Sequence, residues 1–122
     1  MYRISKVFEF SASHRLYGLP ETHQCARLHG HNYIVEVALS AEWTNPTGFV
    51  RDYGELKPFK DYIDTYVDHR DLNQVLGPLL PGGQTSAENL AKHFYDWCRE
   101  LWPEVVAVTV KETPKTAATY EP

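Results

Sequence analysis

Cysteine is scarce: Cys25 and Cys98 are the two thiols among 122 residues. The N-terminal MYRISKVFEF alternates and carries charge, so it does not read as an apolar leader. Together these point to free thiols in a reducing, cytoplasmic setting rather than a disulfide framework. A Cys25–Cys98 bridge would tie a loop to a helix and is not expected. No apolar run approaches the roughly 20 residues that cross a bilayer, so no membrane partner is expected. Basic runs are also missing. Lys and Arg number 12 against 16 Asp and Glu, for a net charge of −4, which leaves no electrostatic footprint for nucleic acid. Internal repeats and low-complexity segments are absent, which excludes solenoids and disordered linkers. What is present is globular: 43% hydrophobic and 13% aromatic residues, enough for one domain spanning 1–122. A chain this short buries limited surface alone, and oligomerisation would help it.

Residues 2–10 place Ile4, Phe8 and Phe10 on one parity, predicting a strand that runs on toward His14. Residues 17–28 lack a period and read as a loop. From His29 to Glu42 alternation returns, with His31, Tyr33, Val35, Val37 and Leu39 on one face. WTNPTG is a turn, and FVRD reads as a short returning strand. Leu56, Phe59, Ile63 and Tyr66 predict a helix over 52–67, with Asp52 and Glu55 as its capping box. Pro58 means that either the regular helix starts nearer Lys57 or its first turn is irregular. Thr85 and Glu88 predict the cap of a second helix carrying Leu90, Phe94, Trp97 and Leu101, ended by Pro103. Residues 104–112 form a β-rich strand, and the last residues add a short one. The expected class is α+β, an antiparallel sheet with two helices on one face.

The stretch CARLHGHNY, residues 25–33, carries the chemistry. His29 and His31 are spaced i, i+2, so a strand points both to one face. His14, at the end of the preceding strand, can supply a third imidazole if the two strands pair. Three neutral imidazoles suit zinc and leave a fourth position open. HxH alone is weak; isolated histidines are more often packing or surface groups, as expected for His23 and His93. Cys25 reads two ways: as a fourth metal ligand, or as a thiol whose pKa a nearby dication lowers, fit to act as base or nucleophile. Asp68 precedes His69 and can fix its tautomer, although a polar helix terminus would look the same. Glu112, at a strand end, gains interest only as a bidentate acceptor for an amidine-like ring edge.

HR at 14–15, CARLHGHNY at 25–33, FVRDYGELK at 49–57, VDHRDLN at 67–73, QTSAENLA at 84–91 and VKET at 110–113 together resemble the 6-pyruvoyltetrahydropterin synthase / 6-carboxytetrahydropterin synthase family. The resemblance covers nearly the whole chain. It implies the tunnelling fold: four antiparallel strands with two helices on one face, sheets closing into a trimeric barrel, and two rings stacked as a homohexamer with active sites between subunits. It also implies zinc on His14, His29 and His31, Cys25 as base rather than ligand, Asp68 and His69 as proton relay, and Glu112 as substrate-binding carboxylate for a pterin ring. The implied substrate is 7,8-dihydroneopterin triphosphate. Arg15, Arg27 and Lys115 are candidate triphosphate contacts.

Three residues, Ala26, Arg27 and Leu28, separate Cys25 from His29. That short gap resembles the 6-carboxytetrahydropterin synthases of the queuosine and 7-deazapurine route, lyases that release acetaldehyde and triphosphate. In the pyruvoyl-forming animal enzymes the gap is longer. Arg70, where many relatives have a histidine, and Pro58 depart from the family pattern. Three alternatives stay open: a 6-pyruvoyltetrahydropterin synthase, a non-catalytic zinc-stabilised binding protein, and a hydrolase using zinc-bound hydroxide.

Overall fold

Alternating side chains build the sheet. In the computed structural model, which describes residues 1–122, β1 (Tyr2–His14) and β2 (His29–Ala41) pair antiparallel, with Phe10 opposite Tyr33, Ala12 opposite His31 and His14 opposite His29. β3 (Val105–Thr113) pairs with β2, and β4 (Thr116–Tyr120) with β3, giving one antiparallel sheet in the order β1-β2-β3-β4. The even positions Phe8, Phe10, Ala12 and His14 of β1 face the core, as do the odd positions Tyr33, Val35, Val37 and Leu39 of β2. The opposite face carries Ser5, Glu9, Ser11, Asn32 and Glu36, so only one face of the sheet is packed.

Two helices cover that face. α1 spans Lys57–Tyr66 and α3 spans Ala87–Leu101, with a single helical turn, α2, at Leu72–Val75 between them. The Pro58 conflict ends in the first of the two expected ways. Asp52 accepts the Gly54 N–H and caps a 3-10 turn over Tyr53–Leu56, and the regular helix begins at Lys57. Pro58 then lies in the first helical turn, where its missing N–H has no intrahelical partner to lose. Glu55 does not close a capping box; it pairs with Arg51. FVRD is not a strand. Arg51 instead forks onto the Glu104 carboxylate at 3.0 and 3.1 Å, so its segment is held by an ion pair ahead of β3.

Leu56, Phe59 and Ile63 are buried as expected, but Tyr66 is exposed. Tyr62 takes its place against α3, stacking on Trp97 at 4.7 Å. On α3, Leu90 and Phe94 are buried while Leu101 is exposed, and Trp102 fills the space beyond it. The cap of α3 is Ser86, whose Oγ accepts the Asn89 N–H, and not Thr85. The single-residue correction matters, because it releases Thr85 for the site. Both cysteines are free thiols, with Cys98 fully buried on α3, where burial pushes its pKa up.

Candidate metal centre and active site

Strand pairing brings the three histidines together. Their ring centroids lie 4.6 Å apart for His14 and His29, 5.1 Å for His14 and His31, and 4.8 Å for His29 and His31. Two of the rings are locked by main-chain carbonyls. His14 Nδ1 lies 2.9 Å from the Thr85 carbonyl and 3.1 Å from the Thr85 hydroxyl. His29 Nδ1 lies 2.6 Å from the Arg27 carbonyl. A carbonyl only accepts, so each Nδ1 carries the proton and each Nε2 keeps its lone pair for a metal. Burial, followed by the neighbouring imidazoles His14 and His29, lowers the pKa of His31 against the pull of Glu112. His31 therefore favours the neutral ring, the form that ligates.

Glu112 joins them. Its Oε2 is 2.9 Å from His31 Nε2 and 3.6 Å from His14 Nε2. One donor atom from each of His14, His29, His31 and Glu112 lies within 4.8 Å of the others. The Nε2 atoms of His14 and His31 are buried and make no hydrogen bond. Nitrogen and carboxylate donors converging on one point, with orphaned buried nitrogens, fit a divalent metal of zinc's preferences. The Tyr33 hydroxyl beside them is also buried without a partner, and burial and then Glu112 raise its pKa.

Cys25 is not part of this donor set. It sits half-buried in a 3-10 turn, Gln24–Ala26, its N–H donating to His23 Nδ1 at 3.0 Å and its carbonyl accepting from Leu16 at 2.8 Å. His23 is thus a turn cap. His93 contacts the Tyr62 hydroxyl at 2.8 Å between α1 and α3, away from the cluster.

Asp68 and His69 meet directly, with His69 Nδ1 2.9 Å from Asp68 Oδ1. Neighbouring side chains usually diverge, and the turn that prevents it is His69 itself, at φ 59°. The segment is tied to β1: Ser11 N–H donates to Asp68 Oδ1 at 2.9 Å, and His69 N–H to the Ser11 carbonyl at 2.6 Å. The Ser11 amide is the main reason the Asp68 carboxyl is held below its usual range. Asp68 lines a cleft of about 730 Å³ with His31 and Glu112, within the size of small-molecule sites. His69 and Arg70 line the adjoining cleft with His31. The His69 ring is 81% exposed on the outer side of β1. Arg70 donates to the Thr65 carbonyl at the end of α1. Arg15 stacks on Tyr17, Arg27 gives its carbonyl to His29, and Lys115 lies in the β3–β4 turn.

Thr85 and Asn73 escaped the sequence reading. The Thr85 hydroxyl donates to Asn73 Oδ1 at 3.4 Å, and Asn73 clamps both the N–H and the carbonyl of Arg15 at 2.9 Å, fixing the chain just after His14. No local pattern marks them, since each acts on a residue more than 50 positions away. Thr85→Val keeps the carbonyl bond to His14 and removes only the hydroxyl. Its metal affinity, measured by chelator competition, should fall by less than the roughly 10- to 100-fold typical of losing a whole outer partner.

Residues 3–122 match the family described as 6-pyruvoyl tetrahydropterin synthase. A 6-carboxy-5,6,7,8-tetrahydropterin synthase of Rickettsia felis is 39% identical over 57% of this chain, and the match spans about half, 49%, of that protein. One of the same name from Aquifex aeolicus is 27% identical over 98% of both chains. The solved 6-pyruvoyl tetrahydropterin synthase of Caenorhabditis elegans superposes with a TM-score of 0.85 at 30% identity, covering 99% of this chain and 95% of its own.

Proposed function

This chain belongs to the 6-pyruvoyl tetrahydropterin synthase family, and from that premise we propose that it is a zinc-dependent lyase converting 7,8-dihydroneopterin triphosphate to 6-carboxy-5,6,7,8-tetrahydropterin, on the route to queuosine and other 7-deazapurines. The observation that carries the reading is the convergence of His14, His29, His31 and Glu112 beside a cleft that Asp68 also lines. The three-residue gap between Cys25 and His29, and the name borne by the Rickettsia and Aquifex relatives, favour the carboxy product.

Zinc on His14, His29 and His31 would act as a Lewis acid, acidifying the hydroxyls and adjacent C–H groups of the substrate side chain. Thr85 and Arg27 keep His14 and His29 in the ligating tautomer. Cys25, as thiolate, takes a proton from the side chain, and His69, oriented by Asp68, returns one at another atom. Glu112 is the carboxylate that receives the pterin. The ring is reduced at the expense of the side chain, two carbons leave as acetaldehyde, and triphosphate departs. Two side-chain hydroxyls cannot supply the three oxygens of a carboxylate and an aldehyde, so one water is consumed.

The outer edge of β4, and that of β1 ahead of Ser11, end the sheet. Closing them against other copies would satisfy their free backbone groups, which supports a trimeric barrel within a homohexamer. The exposed His69 on the outer side of β1 would then face a neighbouring subunit's site.

A second reading, a 6-pyruvoyl product, is favoured by the likeness to the Caenorhabditis elegans enzyme. The two differ in carbon–carbon cleavage. Zinc-loaded protein incubated anaerobically with 7,8-dihydroneopterin triphosphate should give a 6-carboxylated tetrahydropterin and one acetaldehyde per turnover, identified by mass spectrometry. A 6-pyruvoyl product without acetaldehyde would establish the second reading instead.

A further inference from the structure

Resting on the metal-dependent reading above, we propose that Glu112 is a fourth, displaceable metal donor. It closes the site in the substrate-free protein and withdraws when the substrate's side-chain hydroxyls take its place. The expectation from three histidines alone is an open fourth position. The geometry points elsewhere.

The argument begins with protons. His14 Nδ1 donates to the Thr85 carbonyl, so the Nε2 of the neutral ring is an acceptor. Glu112 Oε2 is an acceptor too, yet it stands 3.6 Å from that nitrogen and 2.9 Å from the His31 nitrogen. The lone pairs of His14 Nε2 and Glu112 Oε2 therefore face each other, an arrangement that a cation between them would stabilise. The 2.9 Å approach to His31 also fails as a hydrogen bond, for His31 Nε2 has no partner of acceptable angle. Donor atoms that are close but misaligned with one another are aimed at a common centre. A shared metal ion satisfies all of them.

The backbone delivers Glu112 to this place. The β2–β3 register, continued one step beyond Ile34 and Lys111, sets Glu112 across from Tyr33, on the same face as the histidines. Charge agrees: three neutral imidazoles leave a dication uncompensated, and a carboxylate halves that charge. Exchange is chemically simple. The carboxylate–metal bond breaks as a hydroxyl–metal bond forms, and the released anion is already inside the cleft where it can accept hydrogen bonds from the substrate. One residue then retains the metal at rest and receives the pterin when bound.

Cobalt(II) is the probe. Glu112→Gln, which keeps the shape and removes the charge, should weaken cobalt binding by about tenfold or more in chelator competition and shift the visible absorption of the cobalt protein. Adding 7,8-dihydroneopterin, which carries the side-chain hydroxyls but no triphosphate, should shift the wild-type spectrum. Unchanged affinity and spectrum in Glu112→Gln would overturn the proposal and leave the proposed function standing. No cobalt binding by the wild type would overturn both. Should Glu112→Gln not fold, a crystal structure of the zinc-loaded wild type decides: a Glu112 oxygen at roughly 2.0–2.2 Å supports the proposal, and a water in its place defeats it.

Discussion

Cys25→Ala should load metal like the wild type and form product about 100- to 10,000-fold more slowly, the range expected when a positioned acid–base group is removed. Cys25 lies outside the set of converging donors, so its loss should not alter metal content. Its backbone, rather than its thiol, holds the local turn: the N–H bonds to His23 and the carbonyl to Leu16, and alanine preserves both. The substitution is therefore a clean removal of one sulfur. The measurements are metal content by elemental analysis and single-turnover product formation at saturating substrate. Full activity in Cys25→Ala would defeat the thiolate mechanism and favour hydrolysis by a metal-bound hydroxide. Loss of metal together with activity would instead make Cys25 a ligand, contrary to the geometry.

His29→Ala should abolish metal binding and with it all turnover. Of the three imidazoles His29 is the best to remove, since His14 is fully buried and its loss would leave a cavity under β1, whereas His29 is half-exposed at the start of β2. Its main structural bond, to the Arg27 carbonyl, ties residues two apart, so the sheet should survive. Affinity should fall by more than the roughly 100-fold upper range for losing a second-layer partner, because here a ligand itself is lost. Thermal unfolding gives an independent readout. A metal bound only by the native state stabilises it by about 2.7 kcal/mol at a hundredfold excess over Kd, a shift of several degrees for a domain of this size. Wild type should show that shift with zinc, and His29→Ala should show none. A full shift in His29→Ala would sink the three-histidine site.

Much of this was visible in the chain as written. Alternation gave both faces of β1 and β2, because a strand's period of two is a property of consecutive residues. It also grouped His31 with Tyr33, Val35, Val37 and Leu39 on what became the core face. The helical stripes match the packing along their length but not at their ends, where Tyr66 and Leu101 are exposed. The cap of α3 stands one residue after the hydroxyl that the capping-box spacing predicts. Thr85 and Ser86 are adjacent hydroxyls, and which of them caps depends on what the other finds in space. Thr85 finds His14.

The sequence by itself determined the class of fold, the pairing of His29 with His31, and the presence of a thiol, an Asp–His pair and a terminal glutamate in family order. Each of these is a matter of residue type and short spacing. Only the tertiary structure decided which groups converge. The β1–β2 register set His14 opposite His29, the β2–β3 register carried Glu112 to the face of the histidines, and the positive φ of His69 closed it onto Asp68. Carbonyls from Thr85 and Arg27 chose the ring nitrogens left free for metal. These outcomes depend on pairing and turns between segments far apart in the chain, and no local period encodes them.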